Sequence, residues 1–171
     1  PENAEAFKAL FPEYQVINQK SNYIGGSVTL ESFDELAAQL PENPRMLALR
    51  DCGLGDVLLL MPTLREIKRR IPGARVELAT MPAYHSIIET CDLLALDAIH
   101  SIHEVDLQNE KYDLIINFMR SVELYSLPRN RGPRVDSFAA QIGMRLTERV
   151  FVPDISTGDI AIAHAEMGAG P

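Results

Sequence analysis

The sequence predicts an α/β fold, a mostly parallel sheet flanked by helices, and three observations carry that prediction. Met46-Leu47-Ala48-Leu49 is a short, wholly apolar run, the signature of a strand buried on both faces. Asp56 to Ile71 follows it as a helix with an acidic start and a basic end, Lys68-Arg69-Arg70, which suits the helix dipole. Further strands and helices then alternate at a spacing that fits βαβ units.

The first 45 residues read differently, as an N-terminal extension (1–45). Ala4 to Leu10 fits a short helix, and Val16-Ile17 and Ser27 to Leu30 flank Gly25-Gly26 as a small hairpin. Glu31 to Leu40 places Phe33, Leu36, Ala37 and Leu40 at helical spacing, and Pro41 and Pro44 close the segment.

From Met46 the pattern becomes regular. Asp51 to Gly55 is a turn into the long helix, Pro62 predicts a kink or a tight first turn there, and Pro72-Gly73 ends it. Ala74 to Thr80 is a strand, Pro82 to Thr90 a helix with proline in its first turn, and Ala98 to Val105 a strand interrupted by His100 and His103. Tyr112 to Phe118 is a strand, Val135 to Ile142 a helix stopped by Gly143, and Ile160 to His164 a last strand. The domain expected over 46–155 is Rossmann-like, and 156–171 reads as a linker and the start of a further, truncated domain.

Composition narrows the function. Hydrophobic residues make up 46% and charged residues 23%, an ordinary globular mix, so disorder across the whole chain is not expected. A net charge of −8 is a poor match to a nucleic-acid backbone. Cys52 and Cys91 lack metal-ligand spacing and read as reduced thiols of a cytoplasmic protein. No signal segment opens the chain, and no apolar run approaches membrane-spanning length.

Ligands of open parallel sheets bind at the carboxyl ends of the strands. Arg50 to Asp56, Thr80 to His85 and Asn117 to Arg134 fall there. Gly53 and Gly55 allow a sharp turn and a close ligand approach. Asp56, at a helix start, has two readings: a general base that takes the proton of a sugar hydroxyl, or a plain helix N-cap. The loop Gly53-Leu54-Gly55-Asp56 is neither a dinucleotide fingerprint nor a Walker loop, which argues against an oxidoreductase. Arg120, Arg129, Arg131 and Arg134 form either a clamp for an anionic acceptor or a solvated loop, and Arg50 is the better single candidate. His85 and His164 fit partly buried structural histidines, His100 and His103 would point to opposite faces of a strand, and Met61 and Met119 fit core filler. No carboxylate cluster suggests a metal.

The run from Leu49 to Val76 resembles the opening of the ADP-heptose:lipopolysaccharide heptosyltransferases. It shares with them a short apolar strand, a small-residue loop ending in Gly55-Asp56, Pro62 six residues after the aspartate, and the turn Pro72-Gly73-Ala74. Tyr112 to Asn117 is similar to a later strand of the family, so the resemblance covers roughly 46–143. Asn117-Phe118-Met119-Arg120 stands where the family carries an acidic or amide residue and a Gly-rich loop, and the family has no counterpart to residues 1–45.

The resemblance implies the N-terminal, acceptor-binding half of a GT-B glycosyltransferase. Asp56 would be the general base, and Arg50, Gly53, Gly55, Asn117 and Arg120 would meet the acceptor, a glycan or lipid-linked anionic sugar. A nucleotide-sugar would be the co-substrate, bound by a further half, with no cofactor and no metal. Such an enzyme would be cytoplasmic and associated peripherally with the inner membrane. The chain by itself would be inactive. The alternative reading is a non-catalytic Rossmann-like module that binds a nucleotide or a partner.

Overall fold

The computed structural model describes residues 22–24, 32–51, 53–90, 95–107, 110–119, 121–122 and 132–150. It contains strands β1 (Asn22–Ile24), β2 (Arg45–Leu49), β3 (Arg75–Thr80), β4 (Ala98–Ser101) and β5 (Leu114–Asn117). Between them lie helices α1 (Phe33–Ala37), α2 (Leu54–Arg70) and α3 (His85–Glu89, after a 3₁₀ turn Pro82–Tyr84), and α4 (Asp136–Gln141) follows β5. The five strands form one sheet in the order β1-β5-β2-β3-β4, every pair parallel. The α/β class and the parallel sheet expected from the sequence are present. Among the described residues no helix is long and apolar enough to cross a membrane.

Strand geometry divides the core in two, because alternate side chains leave opposite faces. Met46, Ala48, Val76, Leu78, Leu114 and Ile116 supply one face. Helix α2 covers it with Val57, Leu60, Met61, Leu64 and Ile67, joined by Phe33, Ile88 and Phe138 of the other helices. Leu47, Leu49, Ala79 and Ile115 supply the second face, and Ile102, Leu107 and Tyr112 pack there. Topology explains the asymmetry. The steps β1 to β2, β2 to β3 and β3 to β4 advance in one direction, whereas β4 to β5 steps back across the sheet. Right-handed crossovers of opposite direction lie on opposite faces. The returning segment is short and covers the second face without a helix among its described residues.

Several elements differ from the sequence expectation. Asn22–Ile24, beside the glycines assigned to a hairpin, lies parallel to β5 at the sheet edge. The hairpin itself, the Ala4 to Leu10 helix and the Ile160 to His164 strand lie outside the described residues. Phe33 is fully buried in the main core, so the segment before β2 shares that core. Helix α2 starts two residues early and passes through Pro62 as one helix, with the proline buried. Strand β4 ends at Ser101, so His103 sits in the turn beyond it rather than on the strand. Gly143 closes α4 as expected, at φ 66°, and Met144 N–H donates to the Ala139 carbonyl at 2.9 Å.

Two buried carboxylates tie the layers together. Glu66 of α2 accepts from Arg69 and Arg70 one turn on, and from Thr147 Oγ1 at 2.7 Å, which pins the segment after α4 to α2. The Arg69 hydrogen bond, aided by Thr147 and Arg70, outweighs burial and lowers its pKa to about 2. Glu77 is fully buried on β3, on the second face of the sheet. It accepts from Arg45 Nε at 2.7 Å and Arg75 Nε at 2.6 Å, and His100 Nε2 lies 2.7 Å away. Arg45 also stacks on Tyr112, 4.4 Å from the ring centroid. Burial pushes the Glu77 pKa up, but the bonds from Arg45 and His100 and the charge of Arg75 prevail and hold it at about 2.

Phe33→Ala will lower stability by roughly 3–5 kcal/mol, the usual loss for a buried aromatic, as read from urea unfolding. A change within 0.5 kcal/mol, at the scale of a surface substitution, would show that the segment before β2 does not share the core. Both glutamates titrate lower when folded than the ordinary carboxylate value of 4.5. Their contribution is therefore full above that value and lost as pH falls toward about 2. The urea midpoint should hold from neutral pH to about 5 and then drop, and Glu77→Gln should flatten the drop.

Candidate functional site

Strand β5 lies beside β2 in the sheet, so the loops leaving these two strands meet at the carboxyl edge, where a parallel sheet places its ligand. The β2 exit begins with Arg50, whose backbone N–H still donates to Ala79 at 3.0 Å and prolongs the ladder. Gly53 then takes φ 73°, a left-handed turn that other residues adopt only with strain, and α2 starts at Leu54. Gly53 is therefore the N-cap position. Asp56 is the third helical residue, makes no cap bond and does not act as an N-cap, so that reading is corrected.

The Asp56 carboxylate faces two guanidinium groups instead. Arg50 Nη2 donates to Asp56 Oδ2 at 2.6 Å, and Arg134 Nη2 lies 3.2 Å from Oδ1 and 3.3 Å from Oδ2. The three side chains differ sharply in exposure: Arg50 is 1% exposed, Asp56 12% and Arg134 56%. Arg50 also donates through Nη1 to the carbonyls of Phe118 at 2.8 Å and Met119 at 2.7 Å. Its guanidinium carbon sits 5.8 Å from the ring centroid of Phe138 on α4. Arg50 is thus an internal strut between the two loops, with no surface to offer an acceptor.

The β5 exit is built around Asn117. Its Oδ1 accepts from Met119 N–H at 2.9 Å, which turns the chain sharply, and its carbonyl accepts from Gln141 Nε2 at 2.8 Å. Ser121 Oγ lies against both the Phe118 carbonyl and the Gln141 side chain. Asn117 is 7% exposed and serves the turn. Gly55, in the first turn of α2, is exposed, and a Cβ there would meet nothing within 4 Å. Of the predicted residues, Arg50, Gly53, Gly55, Asp56 and Asn117 therefore gather at one sheet edge, with Arg134 brought in from the approach to α4. Arg120, Arg129, Arg131 and Cys52 lie outside the described residues.

The same edge carries polar capacity that the fold leaves unused. Among the described residues four buried side-chain atoms lack a hydrogen-bond partner, and three of them, Asp51 Oδ1, Thr80 Oγ1 and His85 Nε2, follow or end β2 and β3. An open depression of about 570 Å³ lies instead at the amino ends of the strands, between Leu40, Pro41, Arg70 and Ile71. It is remote from Asp56 and holds no converging set of reactive groups. No group of three or more His, Cys, Asp or Glu among the described residues could hold a metal ion.

Sequence reasoning missed the supporting residues Phe138, Ser121 and Gln141. A Gln in an otherwise small and apolar helix face was the available signal for the last of these. It also passed over Glu77, a charged residue inside an apolar strand. No protein-family model, no curated protein and no solved structure matches the chain.

Gly53→Ala places a methyl group 3.2 Å from Asp56 Oδ2 on a left-handed backbone. It should cost more than about 1 kcal/mol of stability. Gly55→Ala occupies open space on a helix and should stabilise by up to about 1 kcal/mol. Thermal midpoints moving in opposite directions check the assignment of Gly53 as the turn and Gly55 as helix.

Proposed function

We propose that this chain is the acceptor-binding half of a bacterial GT-B glycosyltransferase. It would help pass a heptose-like sugar from a nucleotide-sugar to an anionic glycan or lipopolysaccharide acceptor. One observation carries the reading. Asp56 is a partly exposed carboxylate at the carboxyl edge of the sheet, bonded on one oxygen by the buried Arg50 guanidinium and approached by the largely exposed Arg134. The resemblance of Leu49 to Val76 to heptosyltransferases names the chemistry such a carboxylate would do.

In that chemistry the acceptor hydroxyl oxygen attacks the anomeric carbon and forms the new glycosidic bond. The bond from that carbon to the nucleotide diphosphate breaks, and the diphosphate leaves with its electron pair. The hydroxyl proton passes to the Asp56 carboxylate. The donor and its binding groups belong to a further half, so transfer belongs to the full-length protein and not to this chain alone. Arg120 and its neighbours remain part of the proposal as contacts to the acceptor. Activity in the cytoplasm, with peripheral attachment to the inner membrane, suits a lipid-linked acceptor.

A second reading has its own support. Arg50 and Arg134 both pair with the Asp56 carboxylate, a structural use of that charge that suits a non-catalytic module binding a nucleotide or partner. Asp56→Asn in the full-length protein separates the two. Transfer should show kcat reduced by about 10²–10⁴-fold with KM little changed, the size of a lost general base. Turnover near the unsubstituted rate would reject Asp56 as the base and favour the binding module.

A further inference from the structure

We infer that Arg50 is a positioning residue that holds one oxygen of Asp56 and leaves the other to act. The inference rests on the reading of Asp56 as the proton acceptor. A carboxylate on a helix turns about two side-chain torsions, so its oxygens have no fixed direction unless something holds one of them. Arg50 holds Oδ2, at 2.6 Å, from a site that is 1% exposed. It is itself held by the carbonyls of Phe118 and Met119 and by the face of Phe138, so it has no room to follow the carboxylate.

The two guanidinium partners of Asp56 therefore play different parts. Arg50 is anchored at several points and keeps its bond. Arg134 reaches Asp56 at 3.2 and 3.3 Å from a largely exposed position, where an ion pair is weak and exchanges readily. Arg134 straddles both carboxylate oxygens, and an acceptor hydroxyl can displace it from the carboxylate but cannot displace Arg50 from Oδ2. Oδ1 is the oxygen that receives the proton. The strut also links the Asp56 carboxylate to the β5 exit loop.

The test is a double-mutant cycle on the full-length protein: Arg50→Ala, Asp56→Asn and the pair, with kcat and KM for transfer and thermal midpoints. Arg50→Ala should lower kcat by roughly 100-fold, the scale of a misplaced reacting group, with KM little changed. Guanidinium ion added at millimolar levels should restore part of kcat by refilling the cavity. In the Asp56→Asn background the second change should cost nothing further in kcat. Arg50→Lys, which keeps charge without the two-pronged geometry, should fall between and stay folded.

Full kcat in Arg50→Ala or Arg50→Lys overturns the inference, as does a loss that multiplies in full with that of Asp56→Asn. Absence of guanidinium rescue in a folded Arg50→Ala also overturns it. If Arg50→Ala does not fold, the Arg50→Lys kcat decides. Failure of the underlying reading looks different: Asp56→Asn alone would then turn over normally.

Discussion

A guanidinium buried at the end of a central strand must find acceptors for its N–H groups, or the fold loses several kcal/mol. Arg50 meets that demand with two backbone carbonyls and a carboxylate. The carbonyls come from the exit of β5 and the carboxylate from the first turn of α2, so the demand of one side chain dictates how two loops close on each other. Phe138 lies against the guanidinium and adds α4 to the same junction. Everything proposed for the sheet's carboxyl edge follows from this bond set. Arg50 bonds the Asp56 carboxylate that Arg134 also approaches, and it bonds the carbonyls of Phe118 and Met119 that follow Asn117.

The opposite end of the molecule is governed by the same rule of compensated burial. Glu77 and Glu66 are carboxylates with little or no exposure, each surrounded by arginines and hydroxyl donors. Glu77 joins β2, β3, β4 and the approach to β5 across the second face, which lacks a described covering helix. Glu66 joins the end of α2 to the segment after α4. Arg70 extends that junction to α1 through Asp34. Removing one partner of such a cluster leaves the other charges uncompensated, so these positions specify how the layers sit.

Much of the fold was legible along the chain because its signals are local. The apolar run before Arg50, the basic end of α2, the Pro72-Gly73 stop and the Gly143 stop each mark an element that exists where expected. The strand at Asn22–Ile24 was not legible, since a three-residue strand gains its identity from pairing with β5, ninety-two residues on in register. The shortened β4 had a similar cause: its last paired residue is set by how far β3 runs beside it. Within the site, Gly53 and Asp56 could be read from their place in a strand-to-helix loop. Arg50 could be noticed, but not its role, because whether an arginine points outward to a ligand or inward to carbonyls is decided by residues 68 and 69 positions away.

The sequence by itself determined that the chain builds a parallel α/β sheet and that a Gly-rich loop ending in an aspartate sits at its carboxyl edge. Periodicity and turn residues are properties of neighbouring positions, and they suffice for that. Only the tertiary structure decided that Asp56 is not a cap, that Arg50 is a strut and that Arg134 is the exposed partner. Those distinctions rest on burial and on contacts between segments far apart in the chain, and neither exists until the sheet has closed.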